Sequence, residues 1–180
     1  MKNVHIFCVR SPDASGKGDQ VIYNQRCEQF SSMSDVQNVN IYCLDKRIKN
    51  YRPNLSKVTT HHVKSNIFYR AVMFAVLLIF KRMPIQSSVF YSSGLVKIAR
   101  NIDKNDIIVI GTVRLMYLLK VASTHRCILD MIDIMSKTFG QIGLSSRNPL
   151  KRYVYQFEAR RLAYAEKRAT QINKLNLLVS

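Results

Sequence analysis

Asp106-Ile107-Ile108-Val109-Ile110-Gly111 is an unbroken apolar run, opened by an acid and closed by a glycine. A strand with one wet face alternates apolar and polar residues; a strand covered on both faces does not. The run therefore predicts a central strand of a parallel sheet with helices above and below it. Val4 to Arg10 reads the same way as a first strand, and Arg126 to Leu129 as a later one ending at Asp130. Asn38 to Leu44 and Lys57 to Val63 are read as the second and third strands, Ser88 to Tyr91 as a short one, and Leu175 to Ser180 as the last.

Helical patterns lie between these runs. Asp19 to Met33 places Val21, Ile22, Cys27 and Phe30 on one face, and Asn66 to Met83 is apolar through most of its length until Pro84 stops it. Ser93 to Asn101 and Leu115 to Ala122 are shorter. Asn148-Pro149 opens the final helix, with Asn as cap and Pro in the first turn. Leu150, Tyr153, Val154, Phe157 and Tyr164 of that helix fall near one face. Strands alternating with helices predict an α/β fold: a doubly wound, mainly parallel sheet with helices on both faces, Rossmann-like, over residues 1–180 as one domain. The chain ends on a strand with no closing helix, as expected of a domain cut at its boundary.

Composition supports a globular protein. The chain is 47% hydrophobic and 22% charged, which excludes a disordered chain, and its six glycines and four prolines argue against an all-β fold full of tight turns. The charge is unusual: 28 Lys and Arg against 11 Asp and Glu give +17. Such a field attracts nucleic acid, anionic lipid or a phosphorylated substrate. Cys8, Cys43 and Cys127 sit inside strand patterns, Cys27 stands apart, and no spacing suggests a metal or redox pair. No leader pattern precedes the first strand, and the apolar run Ala71 to Phe80 is too short to cross a bilayer. Together these predict a reduced, cytoplasmic protein.

Ligands of open parallel sheets bind beyond the carboxyl ends of the strands. After the first strand comes Gly16-Lys17-Gly18-Asp19-Gln20, a glycine-bearing loop that opens a helix and suits an anion, although it matches neither full phosphate-loop pattern. After Ile110 comes Gly111-Thr112-Val113-Arg114, with Arg114 placed to hold a phosphate or carboxylate. After Leu129 comes Asp130-Met131-Ile132-Asp133-Ile134-Met135-Ser136. Carboxylates among apolar residues are expensive to bury, so Asp130 and Asp133 are the candidate catalytic groups, orienting a sugar hydroxyl or taking its proton. His5 is read as a core residue, and no metal site is expected. The last helix mixes Lys151, Arg152, Arg160 and Arg161 with Tyr153, Tyr155, Phe157 and Tyr164, a pattern suited to a membrane surface or a nucleic acid.

The run Asp130-x-x-Asp133-x-x-Ser136, the stretch Tyr153 to Glu166 with Tyr155 and Glu158-Ala-Arg-Arg161, and the closing Leu177-Leu-Val-Ser180 resemble the N-terminal domain of bacterial group 1 glycosyltransferases, the family 4 GT-B type of polysaccharide biosynthesis. The Lys17-Gly18-Asp19-Gln20 loop is similar to their first β–α loop. The resemblance implies retaining transfer of a sugar from a nucleotide-sugar donor to a lipid-linked or polysaccharide acceptor. It implies that this chain is the acceptor-side half, with Gly16 to Gln20, Thr112, Arg114 and Ser136 as acceptor or phosphate contacts. It also implies a donor-binding C-terminal domain or partner chain, no cofactor held by this chain, and no activity of this half alone. An anionic membrane surface is the implied partner, met by Lys81, Arg82, Lys151, Arg152, Arg160 and Arg161 at the inner face. A basic nucleic-acid-binding module is the alternative; a small dinucleotide enzyme is disfavoured by the incomplete glycine pattern.

Overall fold

A computed structural model describes residues 1–16, 18–44, 56–64, 68, 71–72, 74–76 and 83–172, and the backbone of 175–178. Lys17, Lys81, Arg82 and most of the expected helix 66–83 lie outside the described residues; positions 68, 71, 72 and 74–76 of that stretch are helical. Six strands form one sheet: β1 (Lys2–Cys8), β2 (Val36–Cys43), β3 (Val58–His62), β4 (Ile107–Gly111), β5 (Arg126–Met131) and β6 (Leu175–Leu178). Their spatial order is 3-2-1-4-5-6, and every pairing is parallel. The fold is α/β and Rossmann-like.

The two faces carry separate cores. Val4, Ile6, Cys8, Val39, Ile41, Cys43 and Val109 meet α1 (Asp19–Ser32) through Tyr23, Cys27 and Phe30. Phe7, Ile108, Ile110 and Leu129 meet the other face, covered by α3 (Ser93–Arg100), a 3-10 segment (Val113–Leu118) and α4 (Leu119–Ala122). Tyr23, rather than Val21, completes the buried face of α1. Burial pushes Cys27 and Cys127 up to about 12, so these thiols stay protonated and inert.

One expectation needs correction. Residues 88–91 are not a strand: α2 spans Ile85–Val89 and a turn follows. The helix is nucleated from a distance, since Ile85 and Gln86 donate their backbone N–H groups to the Glu158 carboxylate at 2.9 and 3.0 Å. Burial pushes the Glu158 carboxyl above its ordinary value, and the two N–H bonds oppose that. A helix for which the sequence gives no expectation, α5 (Met135–Ser145), follows β5. Ser136 donates its N–H and its hydroxyl to Glu166 at 3.1 and 2.5 Å, which caps α5 from the last helix. The face of α6 (Pro149–Ile172) that packs inward carries Glu158, Leu162, Ala165, Glu166 and Ala169. Leu150, Tyr153, Val154, Phe157 and Tyr164 point the other way and are exposed.

His5 is buried as expected. Its Nε2 lies 3.2 Å from Asp106 Oδ2, while the N–H of Asn3 donates to Asp106 Oδ1 at 2.8 Å. Burial lowers His5 below its ordinary value and outweighs the pull of Asp106. Burial pushes Asp106 up, but the bonds from Asn3 and His5 carry it lower overall. Both signs agree. The contribution of His5 is present above its unfolded value of about 6.5 and fades as pH falls through it toward the lower folded value. That of Asp106 fades further down, as pH falls through its own depressed value. The unfolding midpoint should therefore drop as pH falls from 7.5 to 5, and His5→Gln should flatten the first part of that drop. An equal drop in the variant would assign it elsewhere.

Candidate active-site cleft at the sheet switch point

The strand order reverses direction between β1 and β4, and there the two loops diverge and leave a crevice. A cleft of about 220 Å³ opens at this point, lined by Arg10, Gly18, Asp19, Thr112, Arg114, Asp133 and Met135. Gly18, Asp19, Thr112, Arg114 and Asp133 are candidates that the sequence places after its strands, and Met135 lies in the last of those runs. Arg10 is not among them, because the apolar pattern runs the first strand two residues too far; β1 ends at Cys8, and Arg10 belongs to the loop.

The β1–α1 loop is tied back on itself. Asp13 accepts the N–H of Ser15 at 2.9 Å and its hydroxyl at 2.8 Å, and Gln20 donates its amide to the Ser11 carbonyl at 3.0 Å. A Cβ on Gly16 would lie 2.8 Å from Gln20 Cβ. Gly16 and Gln20 thus shape the loop and do not line the cleft. Gly18 stands at the N-cap of α1 with φ 55°, and no side chain caps that end. The first N–H groups of the helix face the cleft side with their partial positive charge.

Thr112 is the strained residue. Its φ is 66° with ψ 151°, a region that β-branched residues rarely enter and that costs about 1–3 kcal/mol. The N–H of Thr112 donates to the Asp130 carbonyl at 2.9 Å, and its own carbonyl accepts from Leu115, so the surroundings hold the strain in place. Thr112 is 9% exposed and its hydroxyl has no partner among the described residues. Arg114 Nε is likewise buried and unpartnered among them, while its guanidinium lies over the Phe90 ring at 5.4 Å. Burial pushes Arg114 below its ordinary value; Asp19 raises it, Arg10 lowers it further, and Asp133 raises it. It remains a cation, as arginine does in proteins. Arg10 reaches Asp19 at 3.5 Å, a long contact on an exposed side chain that leaves donors to spare.

The Asp-x-x-Asp pair divides into two roles. Asp130 is still within β5 and fully buried, and its Oδ2 accepts from Arg26 Nε at 2.9 Å. It lies behind the cleft wall rather than in it. The chain then leaves the strand, and Asp133 emerges, exposed, at the cleft. Ser136 is committed to Glu166, so it caps α5 rather than lining the cleft. Lys151, Arg152, Arg160 and Arg161 sit on α6, away from the cleft lining.

No family model matches the chain, and no curated protein or solved structure matches it significantly. The ligand class must therefore be read from the cleft's side chains. Two guanidiniums and a helix start suit a phosphate or diphosphate, and two carboxylates beside them suit hydroxyl groups. At about 220 Å³ the cleft is smaller than the 300–1,000 Å³ typical of drug-sized ligands. That is room for a single headgroup and not for a whole ligand of that size.

Proposed function

We propose that this domain is the acceptor-binding half of a retaining glycosyltransferase. A sugar passes from a nucleotide-sugar donor, held by a separate donor-binding domain or partner chain, to a lipid-linked or polysaccharide acceptor held here. The observation that supports it is the switch-point cleft: Arg10 and Arg114 for an acceptor phosphate, and Asp19 and Asp133 for acceptor hydroxyls, around a buried Thr112 hydroxyl and Arg114 Nε without partners among the described residues. Arg114 clamps the phosphate, and Asp133 orients the attacking hydroxyl and is the candidate to receive its proton. Asp130 supports from behind. Peripheral attachment at an anionic membrane face is part of the reading, and no helix among the described residues is long and apolar enough to cross one.

Calorimetric titration tests it. Inorganic pyrophosphate and a polyprenyl-diphosphate sugar should both bind the domain. Arg114→Ala should weaken both by about tenfold or more, the worth of one charge-assisted hydrogen bond. Asp133→Asn should weaken only the sugar-bearing ligand. No binding of either ligand by the unaltered domain would overturn the assignment.

A further inference from the structure

The helices α5 and α6 form a hairpin that stands out from the cleft side of the sheet. The chain leaves the carboxyl end of β5 into α5, turns at residues 146–148, and returns along α6 to β6, which is parallel to β5. Met135, at the root, lines the cleft, and Gly143 lets α5 approach α6 so closely that a Cβ there would sit 3.2 Å from Tyr155 and Gln156. The buried residues of α6 begin only at Glu158. At 1.5 Å per residue the eleven residues of α5 set the tip about 16 Å along the helix from its root at Met135.

That tip exposes apolar surface that the core does not use. Leu150 is 71% exposed, Tyr153 68% and Leu144 66%, and Ile142, Val154 and Phe157 are exposed beside them. Tyr153 and Phe157 stack at 6.4 Å, and the Arg161 guanidinium lies over Phe157 at 5.2 Å, so the stripe is pre-ordered. Its charge has one sign. From Ile134 to Phe157 there is no Asp or Glu, but there are Lys137, Arg147, Lys151 and Arg152. Of the acids that follow on α6, Glu158 and Glu166 are buried as caps for α2 and α5.

We infer that the tip of this hairpin is a membrane-docking arm, which lays Leu144, Leu150, Tyr153 and Phe157 into the headgroup boundary of an anionic bilayer while Arg147, Lys151 and Arg152 pair with lipid phosphates. A protein partner would satisfy the apolar stripe as well, but an acid-free cationic rim around aliphatic and aromatic anchors is the composition of interfacial helices. Docked this way, the cleft opens toward the bilayer, where the headgroup of a lipid-linked acceptor lies. The inference rests on the peripheral part of the reading above, and not on sugar transfer.

The chain has no tryptophan, so Leu150→Trp places a single fluorescent reporter at the tip. Flotation and indole emission would be measured with phosphatidylcholine vesicles, with and without about one-third phosphatidylglycerol. The full chain should float only with the anionic vesicles, and the emission of the reporter variant should shift to the blue. Leu150→Ser with Phe157→Ser should lower partitioning by roughly tenfold or more, and each of Lys151→Glu and Arg152→Glu by roughly fivefold or more. Vesicle binding with unshifted emission, and without loss in these variants, would overturn the arm and leave peripheral attachment standing. No vesicle binding at low salt would overturn both. Tighter binding to single-stranded RNA than to vesicles at physiological salt, weakened by the same variants, would replace the bilayer with nucleic acid.

Discussion

Replacing Gly111 with alanine is expected to cost about 3 kcal/mol of stability, the upper end of ordinary overpacking. A Cβ at this position would overlap the Tyr23 hydroxyl oxygen and Cζ and lie 2.5 Å from Cε1. Tyr23 is fully buried between α1 and the sheet, so its ring has nowhere to retreat without lifting α1. The glycine is required for space; its neighbour Thr112 is the residue with positive φ. Lifting α1 would also carry Gly18 and Asp19 away from Arg114, so anion binding should weaken along with stability. Urea denaturation reads the effect as a lower midpoint at unchanged slope. A companion variant makes the result specific. Tyr23→Phe removes a buried hydroxyl with no partner among the described residues, and by itself should leave stability nearly unchanged. Because Cζ and Cε1 still stand in the way of the new Cβ, Tyr23→Phe should recover only part of the Gly111→Ala loss. A neutral Gly111→Ala would mean that α1 does not lie this close to β4.

The parts of the fold that are legible in the sequence are those whose cause is local. The all-apolar run at 107–110 marks a strand covered on both faces, and the sheet places β4 between two neighbours. Asn148 accepts the N–H groups of Leu150 and Lys151 through its side chain, which is the cap its position before Pro149 announces. What is illegible has its cause elsewhere in the chain. The helices α2 and α5 are capped by Glu158 and Glu166, 73 and 30 residues away, and no window around Ile85 or Ser136 contains that information. The same two acids explain why the inward face of α6 is illegible in its sequence. Helical spacing correctly groups Leu150, Tyr153, Val154 and Phe157, but it does not say whether a stripe faces the core. Here the core side carries two carboxylates, against the usual sorting of charge. At the cleft, the residues that follow each strand include Asp19, Thr112, Arg114 and Asp133, which line it. The same rule gives Asp130 a contact role, because three positions of sequence do not show where the chain leaves β5.

Arg26→Ala is the second large effect expected, about 3 kcal/mol, because it leaves a buried carboxylate without its cation. Asp130 is fully buried; its Oδ2 depends on Arg26 Nε at 2.9 Å, and its Oδ1 has no partner among the described residues. Arg26 is differently placed. Its side chain is 21% exposed and also donates to Gln29 at 3.0 Å, so it can turn to water when Asp130 is removed. Asp130→Ala should therefore cost less than Arg26→Ala, and the double variant should be more stable than Arg26→Ala alone, since it buries no unpaired charge. This ordering separates the two roles open to Asp130. If its carboxylate served the ligand directly, Asp130→Asn would abolish acceptor binding while stability barely changed. If it anchors α1 to β5, binding should follow stability across the series, because Arg26 lies on the helix whose first turn carries Asp19 into the cleft. The pair then acts on the acceptor only through the position of that helix, and Asp133 is left as the carboxylate of the motif that meets it.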